Sequence, residues 1–378
     1  MTPRERVIAS LNHQEPDRVP LDLGSLSSTI ETGPYEKLKR HLKLETPTVT
    51  FLREHVDPDE YVLDLFSIDT RYVRIGKPHG WSLKMGPNNS YVDEWGTTFR
   101  KPSTSHYFDP VPPYPLADAS VKDIESYPWP DPNDPGRTEG LARKAKELRD
   151  KTEYAIVADV PLLGPLEFSW LLLRGPEFLE DLIANKTFAI ALLEKITDLH
   201  IQIFDKFLSA VGQYIDVVCV CEDLGTQNDL LISDRMYRDI LKPFHKRLWG
   251  HVKSKTDAKL FLHSCGSIIK LLPDLIDLGV EIINPVQVSA KGMDTAFLKK
   301  EFGKDLTFWG GVDTQWVMPK GSLSDVSKEV KRRIKDLAPG GGFVLTAVHN
   351  IQDDVPPENI IEMYREAKEN GRYPINIK

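Results

Sequence analysis

Short apolar runs of four to seven residues alternate with longer amphipathic patterns over most of the chain. Strands are predicted at 19–23 (VPLDL), 72–75 (YVRI), 155–160 (AIVADV), 215–221 (IDVVCVC), 259–263 (KLFLH), 281–284 (EIIN), 306–310 (LTFWG) and 343–348 (FVLTAV). The intervening pattern is helical. Residues 187–210 form a long amphipathic segment, and 233–253 carries Met236, Ile240, Phe244, Leu248 and Val252 at helical spacing, with Pro243 expected to kink it. A serine cap opens 324–337, and 357–370 begins on a proline suited to a first turn and stops at Gly371. Thr2-Pro3-Arg4-Glu5 reads as an N-cap with a capping-box glutamate rather than the start of a signal sequence. Apolar strands that each lead into a helix require a parallel sheet covered by helices. Eight of them fit a closed (β/α)8 TIM-type barrel of α/β class better than an open doubly wound sheet, and no G-x-G-x-x-G follows any strand.

One stretch breaks the rhythm. Nine of the 28 prolines lie between Pro102 and Pro135, among aromatics and acids. An interdomain linker and an extended wrap over the barrel both fit; the apolar content and the resumption of strand–helix order favour the wrap. One barrel domain is therefore expected over 1–378, with N-terminal and Pro-rich insertions.

Charge narrows the partners. Lys plus Arg number 48 and Asp plus Glu 56, a formal charge of −8. An acidic balance disfavours nucleic acid or an anionic membrane as the main partner. No run approaches about 18 uninterrupted apolar residues, as a membrane span requires. Three cysteines give no disulfide framework, so a reducing cytoplasm is the expected location.

The sharpest chemical feature is Phe261-Leu262-His263-Ser264-Cys265-Gly266. A strand ending in His-x-Cys-Gly places an imidazole and a thiol at the C-terminal mouth, where barrel active sites are built. Nitrogen and sulfur together suit zinc. His349 closes the last strand; it is either a third ligand, leaving one open position as catalytic zinc does, or a cap for the following turn. Glu222-Asp223 ends strand four as a paired-carboxylate candidate: fourth ligand, partner orienting a histidine, general base, or loop cap. Cys219 and Cys221 share one strand face among valines and read as packed core thiols. Asp22, Gln227, Asn284, Gln287 and Asp313 follow strand ends and are candidates for substrate contact, although caps explain many such residues. Trp95, His106, Tyr107, Phe168 and Trp170 offer an aromatic pocket or ordinary core packing.

Five blocks, in order, carry a family likeness: RERVIASLNHQEPDRVPLDLG, EDLGTQNDLLISDRMYRDILKPFHKRL, FLHSCGSIIKLLPDLIDLGVEIINPVQ, FWGGVDTQ and VHNIQDDVPPENIIEMY. Together they resemble the uroporphyrinogen decarboxylase superfamily, and most closely its corrinoid-dependent methyltransferase branch. The resemblance implies a TIM-type barrel, zinc, and a separate corrinoid protein whose cobalt exchanges a methyl group with a small methylated substrate. Decarboxylases of the superfamily carry an early Arg-Gln-Ala-Gly-Arg-Tyr block; RVPLDLGSLSSTI here has none. Zinc methyltransferases acting on thiols carry His-x-Cys, an acidic ligand and a late cysteine; here Asn284 and the region of His349 stand in the last two places. A site poorer in thiolate is a stronger Lewis acid, which favours O-demethylation, a methoxylated aromatic first and a small methylated amine or alcohol second. The alternatives are a decarboxylase-like lyase and a non-catalytic corrinoid- or metal-binding protein. A zinc amidohydrolase ranks lower, because Leu21-Asp22-Leu23 stands where His-x-His belongs.

Overall fold

The computed structural model describes residues 1–103 and 105–377; Thr104, inside the proline-rich stretch, and Lys378 lie outside them. Seven parallel strands form a curled sheet in chain order: Thr70–Val73, Ala155–Ala158, Val217–Cys221, Lys259–His263, Ile282–Asn284, Thr307–Trp309 and Phe343–Val344. Residues 19–23 join its two edges. The Leu345 N–H donates to the Pro20 carbonyl at 2.9 Å and the Asp22 N–H to the Leu345 carbonyl at 3.1 Å, while the Asp69 N–H reaches the Leu21 carbonyl at 2.9 Å. The first expected strand is therefore an irregular connection. Pro20 has no N–H to give, and the Leu21 N–H goes to the Asp69 carboxylate at 2.8 Å instead of to a neighbouring strand. The second strand ends two residues earlier than the pattern suggests, at Val73, where Arg74 leaves the ladder to pair with Asp57 and Asp159, each at 3.0 Å.

Strand parity decides what each side chain faces. Val217, Cys219, Cys221, Phe261, Ile282 and Trp309 pack in an inner cluster, together with Val7 and Leu11 from the helix Pro3–Leu11. That helix, capped by Thr2 with Glu5 completing the box, plugs the end of the barrel where the strands begin. Val218, Val220, Leu260, Leu262 and Ile283 face the helix layer. As expected, Cys219 and Cys221 are core thiols.

The helices follow the amphipathic segments: Lys186–Val211, Lys242–Lys255, Leu323–Leu337 capped by Ser322, and Pro357–Asn370 ending at Gly371. Pro243 sits in the first turn of its helix, directly after a wide turn over Tyr237–Leu241 that relieves the missing hydrogen bond. The segment after His-x-Cys-Gly forms only the short helix Leu272–Asp277. In the proline-rich stretch, Asp109–Pro110 pairs with Thr98–Arg100, the Leu116 N–H donates to the Leu173 carbonyl at 2.8 Å, and Tyr107 reaches the mouth. Among the described residues no helix is long and apolar enough to cross a membrane.

One helix carries a pH-sensitive element. His200 is fully buried against Phe168, its Nε2 has no partner, and burial alone pulls its imidazole down to about 3 from 6.5. The folded value is depressed, so the unfolded chain binds the extra proton as pH falls below 6.5 and stability declines toward the folded value. By pH 5 this group alone removes about 2 kcal/mol. Unfolding by urea at pH 7 and pH 5 should show that His200→Leu narrows the stability gap between the two conditions by that amount.

Candidate metal centre at the barrel mouth

His263, the last residue of its strand, points inward by the same parity as Phe261. Its Nδ1 lies 2.6 Å from Asn284 Oδ1. Asn284 Nδ2 donates to the Trp309 carbonyl at 3.0 Å, which fixes the amide so that Oδ1 must accept. His263 therefore carries its proton on Nδ1, and Nε2 presents a lone pair 3.6 Å from Cys265 Sγ. Ligands of a tetrahedral zinc stand roughly 3.5 Å apart. His349 completes the group, its ring 5.7 Å from that of His263. One donor atom from each of the three residues can be chosen so that all lie within 4.8 Å of one another.

His349 Nδ1 is buried without a hydrogen-bond partner. Burial, then the neighbouring His263 and His55, pulls its imidazole down to about 3, so it is neutral and able to bind a metal at ordinary pH. Burial, then Asp223 and Glu167, pushes the Cys265 thiol up. A cation at this point reverses that preference and draws out the thiolate. Two imidazoles, one of them with an orphaned ring nitrogen, and one thiol fit zinc.

Surrounding residues hold these donors in place. Asp223 Oδ1 accepts the Cys265 N–H at 2.8 Å and stands 4.0 Å from His263 Nε2. Gln287 Oε1 accepts the Gly266 N–H at 2.6 Å. Gly266 has φ +87°, and a Cβ there would lie 2.4 Å from the Gly225 backbone, so the turn behind Cys265 admits only glycine. Glu167, not anticipated from the pattern, accepts the Asp223 N–H at 3.2 Å and faces the Cys221 thiol at 3.4 Å. Burial, then Asp223 and Glu222, pushes its carboxyl up. Its one sequence signal is an acid in the first turn of the helix opened by Gly164-Pro165. Tyr107 from the proline-rich stretch stands edge-on to His349, ring centroids 6.1 Å apart.

Other expected site residues lie elsewhere. Glu222 points outward, fully buried between sheet and helices. It accepts from the Leu166 and Glu167 N–H groups at 3.1 and 2.7 Å and meets His245 Nε2 at 2.8 Å, which removes it from the ligand set. Asp22 is equally unavailable to a substrate: Thr70, Tyr72, Trp309 and Ser28 donate to it at 2.5, 2.6, 2.9 and 3.1 Å. Asp313 closes its own loop on the Gln315 N–H at 2.8 Å. Asn284 and Gln287 are engaged with the metal-site residues, and Gln227 is exposed on the loop beyond Gly225. Trp95 and Phe168 pack edge to face in the core at 4.8 Å.

Fold and mouth together define an α/β-barrel protein with a His–Cys–His cluster at the C-terminal rim. The family model for uroporphyrinogen decarboxylase (URO-D) matches residues 103–370, and the chain belongs to that family. Its relatives include the methylcobamide:CoM methyltransferase MtaA of Methanosarcina barkeri, 26% identical over 293 residues, 74% of this chain and 74% of that protein. A second MtaA, from M. barkeri strain Fusaro / DSM 804, is 26% identical over 230 residues, 57% of this chain and 62% of its own length. A solved methyltransferase from Methanosarcina mazei shares the fold, with a TM-score of 0.63 at 19% identity over 98% of this chain and 99% of that one.

Proposed function

We propose that this protein is a corrinoid-dependent methyltransferase that takes the methyl group of an O-methylated small molecule, a methoxylated aromatic in the first instance, for the cobalt of a separate corrinoid protein. The observation that carries the reading is the convergence of His263 Nε2, Cys265 Sγ and His349 at the barrel mouth. These three residues would hold zinc, leaving one position for the donor. When bound, zinc supplies Lewis acidity toward an ether oxygen, which makes an alkoxide or phenolate a feasible leaving group.

The chain's own residues do the rest. Asn284 fixes the His263 tautomer, and Asp223 and Gln287 fix the turn that presents Cys265. Glu167 accepts the Asp223 N–H and so steadies the acid that holds the Cys265 turn. Tyr107 stands edge-on beside His349 at the mouth. The test is zinc analysis of the purified protein, followed by mixing with a reduced corrinoid protein and a panel of methoxy compounds under optical monitoring. Close to one zinc per chain and a donor-dependent change in the corrinoid spectrum are expected. Metal-free protein and an unchanged spectrum with every donor would overturn the reading.

A further inference from the structure

His245 lies in the first turn of the helix Lys242–Lys255, fully buried on the outer side of the sheet, and no step of the methyl transfer uses it. Its ring is stacked on Trp249, centroids 4.2 Å apart. Its Nε2 stands 2.8 Å from Glu222 Oε2, and its Nδ1 stands 3.2 Å from the Tyr237 hydroxyl. Both Glu222 oxygens already accept backbone N–H groups, so Nε2 carries the proton and donates to the carboxylate. Among the described residues His245 is the one side chain hydrogen-bonded to Glu222.

From Glu222 the contacts run back to the metal donors. Its oxygens accept the Leu166 and Glu167 N–H groups at 3.1 and 2.7 Å, which sets the first turn of the helix Pro165–Glu167 against the strand end. The fit is close: a Cβ on Gly164 would lie 2.3 Å from the Cys221 carbonyl oxygen and 2.5 Å from the Glu222 carboxyl carbon. Glu167 Oε2 then returns to the strand and accepts the Asp223 N–H at 3.2 Å, and Asp223 Oδ1 accepts the Cys265 N–H at 2.8 Å. Glu222 and Asp223 are consecutive. Strand end and helix start therefore clasp each other reciprocally, Glu222 gripping the helix and Glu167 gripping Asp223. Loosening one half of such a buried network frees the other.

We propose that His245 is a positioning residue of the metal centre, acting through Glu222, Glu167 and Asp223 on the turn that presents Cys265. This rests on the metal-centre part of the methyltransferase reading and adds a residue beyond the donors and their immediate hydrogen-bond partners. The effect falls on how tightly and in what geometry the metal is held. At saturating zinc the content stays near one per chain.

The test measures zinc affinity by competition with a chelator, together with the absorption of the full chain loaded with inorganic Co2+, whose thiolate band reports the sulfur–metal geometry. His245→Phe keeps a ring on Trp249 and removes the donor. It should weaken zinc binding roughly three- to tenfold, less than the loss of a direct partner of a ligand, and shift the Co2+ band. His245→Gln places an amide N–H near the position of Nε2 and should restore both readouts close to wild type. A merely structural role would lower the melting temperature without moving the band. Should His245→Phe not fold, His245→Asn, polar but too short to reach Glu222, takes its place. Wild-type affinity and an unmoved band in the variant that lacks the donor, or an equal loss in His245→Gln, overturns the inference and leaves the metal centre intact. A wild type that binds neither zinc nor Co2+ rejects the metal-centre reading, and the inference with it.

Discussion

Cys265→Ala should lower zinc affinity at least about 100-fold and abolish corrinoid methylation with it. Substitution of groups that merely orient metal ligands already weakens binding 10- to 100-fold, and Cys265 is a direct donor in the proposed set. Its sulfur stands 3.6 Å from His263 Nε2, and no other thiol reaches the cluster: Cys219 and Cys221 lie in the inner packing of the barrel. Cys221→Ala is thus the matched control, a thiol removed from the same barrel with zinc retained. Metal content after dialysis against a competing chelator separates the two variants. Zinc held equally by wild type and Cys265→Ala would mean that the imidazoles bind without sulfur, and the proposed ligand set would be wrong.

How much of this was legible in the pattern depends on strand parity. The barrel, its strand order and its main helices follow from apolar runs of the right length, because a parallel sheet buried on both faces leaves that signature regardless of detail. His263 and Cys265 were legible because a strand ends there and a glycine follows. The pair Glu222-Asp223 was legible as acidic but not as two opposite orientations. Yet the information was present: if Cys219 and Cys221 face inward, Asp223 shares their side and Glu222 that of Val218 and Val220. Asp22 is a harder case. Parity turns it inward correctly, but only the arrival of Thr70, Tyr72, Ser28 and Trp309 from distant segments shows that it lies below the mouth with its acceptors filled. Glu31 and His55 sit on an isolated bridge with no periodicity to read, so nothing short of the folded chain brings them together.

The outward orientation of Glu222 makes a second strong prediction, on stability rather than activity. Its carboxylate is fully buried and serves three donors at once: two N–H groups at the start of the Pro165–Glu167 helix and the ring of His245, itself buried and stacked on Trp249 at 4.2 Å. Glu222→Ala leaves all three unmatched in a dry layer. Loss of one partner from such a buried pair costs about 3–5 kcal/mol. Glu222→Gln should fall between, since its amide oxygen still accepts from the backbone while its NH2 group faces another donor. Denaturant unfolding should order the three proteins as wild type, Gln, Ala, with zinc near one per folded chain throughout, because the metal donors face the other side of the strand. A variant that keeps full stability and loses zinc would return Glu222 to the metal site, and would require the side chain to cross the sheet that separates it from His263.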